Sequence, residues 1–379
     1  MPEPGTTLTG ASRRSIQAYL ESRASRAPVR TRRQRSAGDF ATLWPVTHTL
    51  SRDRILGLLE AAKDCRIAVI GDAMLDVYLR GDVDRISPEA PVPVVRVRER
   101  RYALGGAANV AQNVSAIGAE CDLVAAIGND SGGETLRSMM SAIDADPSSM
   151  VVVGRPTTTK TRVVARAQQL VRVDEEEDAD LEGEEVQKLL SAVKAAVSMA
   201  DAVVLEDYNK GVLVPHVIEE AIAGARARDV PIVVDPKYKN FFTYRGASIF
   251  KPNRRELEAA LGAAVDLEHP DTLPQTLRRL GVEHILLTLG ERGMVLISPD
   301  GEVLRVPTVA REVYDVVGAG DTVTAYLAAI LAAGGSAVEA AVIANYAAGV
   351  EVGKLGAATV APDEVLDAYD DFEARTAVP

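Results

Sequence analysis

The residues best placed to do chemistry lie late in the chain, in DVVGAGDTVTAYLAAILAAGG (315–335). Gly318, Ala319, Gly320 and Asp321 lead straight into an apolar stretch of helical character. A glycine turn that opens a helix leaves backbone N–H groups unpaired at the positive end of the helix dipole, which suits a phosphate oxygen. An Asp on the same turn can take a proton from a hydroxyl held beside that phosphate. One turn then carries both the base and the anion hole that phosphoryl transfer to an alcohol needs. Taken alone, Asp321 reads as well as a helix cap. A second cluster, Leu104 to Asn113 (LGGAANVAQN), joins two glycines that admit a ligand close to the backbone, Gly105 and Gly106, to Asn109 one helical turn later, able to meet sugar hydroxyls. In isolation it reads equally as a helix start with small packing residues.

Other nucleotide signatures are missing. There is no GxxxxGK[ST], no third glycine at dinucleotide-fold spacing after Gly318 and Gly320, and neither HRD nor DFG. Metal chemistry on soft ligands has little to work with. Cys65 and Cys121 make neither a disulfide framework nor a zinc site, and His48, His216, His269 and His284 show no HxxxH or HxH spacing. Two cysteines in this number fit a reducing, cytoplasmic setting. No apolar run approaches the roughly 18–20 residues of a membrane span.

The elements that must position these groups follow from the pattern of the body. With 379 residues, 47% hydrophobic and 25% charged, the chain can bury one large α/β core. Only 4% is aromatic, so that core is built from Val, Leu, Ile and Ala. The net charge of −12 averages two unlike parts: residues 1–50 carry eight arginines against three acids (+5), and the remaining 329 carry −17. An acidic body argues against a nucleic-acid surface. The Ser-, Arg- and Ala-rich stretch Arg13 to Arg35 has the look of a transit peptide or a nucleic-acid arm, and reads most simply as part of a disordered N-terminal extension over 1–50, outside the fold. From Arg66 on, short apolar strands ending in polar or Gly residues (66–72, 121–128, 202–207, 231–235, 247–253, 284–290) alternate with helical stretches (107–119, 182–199, 214–228, 254–261). That alternation predicts an α/β fold, a mostly parallel sheet covered on both faces, with the polar strand ends converging at its carboxyl edge. Residues 91–98 and 157–174 alternate at period two and predict a small β flap outside the main sheet, or a plain edge hairpin. The acidic run 174–180 reads as a solvated loop.

GGAAN near the first helix together with DVVGAGD near the last, about two hundred residues apart across βα units, resembles the ribokinase-like (PfkB) carbohydrate kinases. The resemblance covers about 66–368. RISPEAPVPVV (85–95), TTTKTRVVARAQQLVRVD (157–174), DYNKG (207–211), DPK (235–237), KPNRRE (251–256) and ANYAAGVEVGKLGAATV (344–360) are similar to the branch that phosphorylates the anomeric hydroxyl of D-glycero-β-D-manno-heptose 7-phosphate, on the route to ADP-heptose for lipopolysaccharide core.

The resemblance implies a ribokinase-like kinase domain over 51–379, with a flap from about 80–104 and 157–175, that uses ATP and Mg²⁺. Asp321 matches the family's base, and Gly318, Ala319 and Gly320 its anion hole. Asn253 and Glu256 match the NxxE element of the Mg-bound phosphates, Glu256 meeting the ion through water. Thr288, Gly290 and Gly293 match the nucleotide-side TxGxxG, and Asn345 borders the adenine. Gly71, Asp72, Asp76, Gly105, Gly106 and Asn109 match sugar-side positions, and Asp207 and Lys210 fall where the sugar pocket closes. Lys160, Arg162 and Arg166 on the flap are the expected partners of the substrate's 7-phosphate, or else an exposed strand face. The residue before Gly318, often Thr in the family, is Val317 here; Asp315 can still help hold a monovalent cation such as K⁺. A homodimer through the flap is implied. With no HxGH motif in this sequence, the adenylyl step is expected on a separate adenylyltransferase. Another sugar or nucleoside kinase, or a non-catalytic sugar-binding relative, stays open.

Overall fold

The structure, a computed structural model, describes residues 50–143, 145–165, 168–267 and 273–376. The basic extension, apart from Leu50, lies outside the described residues, as do Arg166 and His269. The chain opens with α1 (Arg52–Ala62), β1 (Arg66–Gly71), β2 (Ala73–Ile86), β3 (Pro93–Gly106) and α2 (Ala107–Ile117). It continues through β4 (Glu120–Val124), β5 (Ala126–Gly128), α3 (Ser131–Ser141), β6 (Val151–Val153), β7 (Thr159–Ala165) and β8 (Gln168–Glu175). Next come α4 (Gly183–Met199), β9 (Ala202–Glu206), α5 (Pro215–Ala227), β10 (Ile232–Asp235), β11 (Ile249–Phe250), α6 (Arg254–Leu261) and α7 (Leu273–Leu280). β12 (His284–Thr288), β13 (Met294–Ile297), β14 (Val303–Val306), α8 (Ala319–Ala332), α9 (Ala337–Glu351) and α10 (Pro362–Thr376) complete it.

Eight strands form the main sheet in the order β14-β13-β12-β11-β10-β9-β1-β4. It is parallel from β4 to β12, with β13 and β14 antiparallel at one edge. The strands are buried on both sides, as near-continuous apolar runs require. Alternate residues feed two separate cores. Ile67, Val69, Ala202, Val204, Val233 and Ile249 pack under α1, α2, α8 and α9; Ala68, Ile70, Val203, Leu205, Ile232 and Phe250 pack under α4 to α7. This parity decides which strand-end residues reach the site.

The expected flap is a separate four-stranded sheet, β3-β2-β7-β8. One of its two 14-residue strands, β2, does not show as an alternating strand in the sequence because β-bulges at Arg80/Gly81 and Val83/Arg85 break its alternation. The expected strand over 157–174 is a hairpin of β7 and β8. The strand expected over 121–128 is two: after Val124 the chain leaves the main sheet, and β5 pairs with β6 instead. An unbroken apolar run carries no mark of such a handover. The acidic run is exposed apart from Glu176, as a solvated loop is expected to be, but carboxylates within it are also paired. Asp174 and Glu176 pair with Lys160, Glu176 and Asp178 with Lys210, and Asp180 with Lys239.

Candidate active site

The site forms at the carboxyl edge of the main sheet, where the polar strand ends were expected to meet. Gly71, Glu206 and Asp235 are in register on adjacent strands. Glu206 follows Ala202 and Val204 at period two, Asp235 follows Val233, and Lys251 follows Ile249, so all three face the α8 layer. Gly71 must be glycine: a Cβ there would lie 2.1 Å from the carbonyl oxygen of Glu206.

Across from them α8 begins at Ala319, with Gly318 at its N-cap. Gly318 takes φ +99, and the first amide to find an acceptor in the turn is that of Thr322, on the Gly318 carbonyl at 2.9 Å. The N–H groups of Ala319, Gly320 and Asp321 are therefore the unpaired donors of the helix opening. Val317 contributes only its backbone, its amide donating to Asp315 Oδ1 at 3.1 Å, so a side-chain hydroxyl is not what closes this loop.

Asp321 is buried; its Oδ2 accepts from Asn109 Nδ2 at 2.7 Å and its Oδ1 from the Tyr208 hydroxyl at 3.0 Å. A helix cap would bond its own backbone; this carboxylate bonds two other elements. Asn109 is aimed by its own helix. Asn113, one turn on, donates to the Asn109 carbonyl at 2.9 Å and accepts from Thr322 on α8 at 3.2 Å, stitching α2 to α8. The Asn109 Oδ1 is buried without a partner among the described residues, an acceptor left for a ligand hydroxyl. Burial, then the nearby Asp235 charge, push the Asp321 pKa up to about 6 against the pull of Asn109 and Tyr208. A base must be unprotonated to accept a proton, so kcat/KM should climb as pH rises through about 6 and level off above it. A profile flat between pH 5 and 7 would remove Asp321 from that role.

Glu206, Asp235 and Asp321 offer carboxylate oxygens within 4.8 Å of one another, all buried. Lys251 binds Asp235 Oδ2 at 2.8 Å. Burial and the two neighbouring carboxylates raise the Glu206 pKa well above the usual range. Neither of its oxygens has a partner among the described residues. Glu206, Asp235 and Lys251, with Tyr208, Lys237 and Asn113, were not singled out from sequence. They sit inside the short strand-end motifs, and their convergence needs the register of three strands.

The sequence-derived residues sort into those brought to this centre and those that support it. Asp72 accepts from the amides of Tyr208 (2.8 Å), Lys210 (2.9 Å) and Val212 (3.1 Å), so it holds the 208–212 loop. Burial and Asp207 push its pKa up to about 6 even so. Asp207, expected at the sugar pocket, has the opposite parity to Glu206. It accepts from Tyr244 (2.7 Å) in the other core and from the Asn209 amide (2.7 Å), and is not brought to Asp321. Gly106, at φ +58, joins β3 to α2 with its missing Cβ 2.3 Å from the Asp72 carbonyl oxygen, while a Cβ on Gly105 would lie 3.1 Å from Asp76 Oδ2.

On the flap, Arg162 pairs with Asp76 and lies over the Tyr78 ring. Lys160 (2.6 Å) and Lys210 (2.9 Å) share Glu176. Of the expected phosphate partners, Lys160 is thus neutralised by the acidic run and Arg162 by Asp76. On the nucleotide side, Asn253 and Glu256 form the capping box of α6. Glu256 Oε2 accepts from the Asn253 amide (2.8 Å) and Oε1 from Lys237 (2.6 Å). Oxygens so engaged suit an acceptor for the waters of a hydrated Mg²⁺ rather than a direct ligand. Thr288 bridges to Asn253, and Gly290 (φ +62) and Gly293 (φ +81) turn the chain beside it. A Cβ on Gly293 would lie 2.2 Å from the Val306 carbonyl oxygen. Asn345 donates to the adjacent Pro307 carbonyl at 2.8 Å and lines an apolar cavity of about 80 Å³ with Val309, Val342 and Tyr346. Asp315 closes its loop onto the Gly356 amide (3.2 Å).

A mostly parallel sheet with a separate β flap, and a buried Asp at the opening of a late helix, fits the ribokinase-like class of α/β kinases. Solved structures agree on the fold. Arabidopsis thaliana ribokinase complexed with ribose and ATP aligns at TM-score 0.63 and 19% identity over 80% of this chain and 98% of its own. Escherichia coli phosphofructokinase-2 in complex with substrates and products aligns at 0.67 and 18%, over 82% and 99%. The profile of the pfkB family carbohydrate kinases matches residues 65–364, and the chain belongs to that family. Its curated relatives include proteins named bifunctional protein HldE. That of Rhodospirillum rubrum is 44% identical over 311 residues, 81% of this chain and 63% of its own length. That of Azorhizobium caulinodans is 46% identical over 318, 83% and 66%. The chain spans about two thirds of the length of these relatives. Their name puts two functions on one polypeptide, whereas for this chain the sequence led to the expectation of a separate adenylyltransferase. Among the described residues no helix is long and apolar enough to cross a membrane.

Proposed function

We propose that this chain transfers the γ-phosphoryl group of ATP to the anomeric hydroxyl of D-glycero-β-D-manno-heptose 7-phosphate, giving the 1,7-bisphosphate on the route to ADP-heptose. One observation carries the reading: Asp321, held by Asn109 and Tyr208, sits on the same turn as the unpaired amides of α8. Asp321 accepts the hydroxyl proton as the acceptor oxygen bonds to phosphorus, and the Ala319–Asp321 amides receive the charge spread over the phosphoryl oxygens. Asn109 and Tyr208 fix the carboxylate's direction. Mg²⁺, where bound, neutralises charge on the nucleotide phosphates, with Asn253 and Glu256 as its outer-shell partners. Asp315 and the buried Glu351, whose pKa burial and Asp315 push up to about 8, support K⁺ as a counter-charge beside this turn. The flap closes over the sugar and excludes water. Exposed Ile86, Val92, Val97, Val171 and Val173 on it support pairing with a second copy.

The choice of heptose 7-phosphate rests on the likeness to the relatives above and on the flap cations. Lys160 and Lys210, bridged by one carboxylate, are set to accept a phosphate in place of Glu176. ADP release measured across a panel of sugars and sugar phosphates should be fastest with the heptose 7-phosphate. Faster turnover of a pentose, a nucleoside or fructose 6-phosphate would replace that substrate, and no release with any of them would leave a binding protein. In the same assay Lys160→Ala should raise KM for the phosphorylated heptose about tenfold while barely moving that of the dephosphorylated sugar. Equal effects on both would reduce Lys160 to a structural partner of Glu176.

A further inference from the structure

Lys251 is an ammonium buried to 3% exposure at the end of β11, beyond the established turn and outside the set of residues read from sequence. Its one partner among the described residues is Asp235 Oδ2, at 2.8 Å. A lysine carries three N–H donors, so two are unspent, and a buried donor without a partner is costly. Their surroundings are informative. A Cβ built on Gly320 would have Lys251 Nζ as its nearest neighbour, at 3.6 Å, with Asp235 Oδ2 next at 4.0 Å. A methyl there would make ordinary contacts, so the second glycine of the turn leaves a methyl-sized gap beside the ammonium. Three carboxylates, Glu206, Asp235 and Asp321, surround the same space, so an incoming phosphate needs a local positive charge to enter it.

From this geometry we infer that Lys251 is a further catalytic residue: it donates to an oxygen of the phosphoryl group in flight, beside the α8 amides, while Asp235 holds it in place. The inference rests on the kinase reading above. In the step, the bond from the acceptor oxygen to phosphorus forms, the bridging β–γ oxygen bond breaks and its electron pair leaves with ADP. The hydroxyl proton goes to Asp321, and Lys251 keeps all of its protons. A fixed ammonium is worth most where phosphoryl charge is shared between donor and acceptor, so its effect belongs to kcat rather than to the binding of either substrate.

The test uses the full chain with Mg²⁺ and compares wild type with Asp235→Asn, Lys251→Met and the double variant Asp235→Asn/Lys251→Met. The double variant removes both charges of the buried pair and so guards against misfolding from an unpaired carboxylate. Two quantities are read: kcat, and the affinity for ADP with and without aluminium fluoride, which stands in for the transferring phosphoryl group. Lys251→Met and the double variant should lose at least about tenfold of the fluoride-induced tightening and about 10²-fold in kcat, with affinity for ADP alone unchanged. Asp235→Asn should keep most of the tightening. The proposal is overturned if the double variant tightens like wild type, which would make Lys251 only the counter-ion of Asp235. It is overturned equally if Asp235→Asn loses as much as the double variant, since the effect would then belong to the carboxylate. Failure of the kinase reading would show in the wild-type protein instead, as ADP binding indifferent to aluminium fluoride and no ADP release with any sugar, and would take the proposal with it.

Discussion

Asp321→Asn is expected to lower kcat by about 10²–10⁴ while leaving ATP and ADP affinity within a few-fold of wild type. The replacement keeps the shape of the side chain and loses its charge and, with it, the ability to take a proton. The local hydrogen bonds can survive it. Oδ1 of the new amide still accepts from Tyr208, and Asn109 can turn to present the Oδ1 that has no partner in the wild-type arrangement. Burying a carboxylate among Glu206 and Asp235 costs stability, so the amide should not lower Tm and can raise it. Single-turnover ADP release together with nucleotide binding separates these effects. Near-normal turnover in a folded variant would mean that Asp321 is not the base, and the proposed mechanism would fall with it.

The second large effect is expected at the junction of β3 and α2. Gly106→Ala should destabilise the chain by about 2–4 kcal/mol and cut turnover with it. Gly106 stands at φ +58 between β3 and α2, and a Cβ would lie 2.3 Å from the Asp72 carbonyl oxygen and 2.9 Å from the Met74 side chain. The backbone contact cannot yield cheaply, because that carbonyl accepts the Ala107 amide at 3.0 Å and Asp72 itself holds the 208–212 loop. Displacing the start of α2 moves Asn109 away from Asp321, and displacing Asp72 moves Tyr208. Both supports of the base are lost through one methyl group. A thermal melt and kcat should therefore fall together. A variant with normal Tm and normal kcat would show that the β3–α2 junction does not position the base.

The contrast between these two residues and the flap cations shows what local sequence can encode. Gly318 to Asp321 were legible because a glycine turn and a helix opening are built from consecutive residues, and their chemistry follows from backbone geometry alone. Gly105, Gly106 and Asn109 were legible for the same reason. Lys160, Arg162 and Lys210 were legible as charges but not as pairs. Their partners Asp76, Asp174, Glu176 and Asp178 lie on other strands or in a run that reads as solvent-facing. Asp207 shows the smallest such error. Glu206, its neighbour, was not singled out, and side-chain alternation in β9 sends the two carboxylates to opposite cores.

The α/β alternation, the flap outside the main sheet, the glycine turn and its Asp are thus written into short stretches of chain, where periodicity and turn chemistry act over a few residues. The convergence of Glu206, Asp235, Lys251, Tyr208 and Asn109 on Asp321 is a property of parallel register and of α2 packing on α8. Those contacts join residues up to about 210 positions apart, and no spacing along one strand records how its neighbour is aligned.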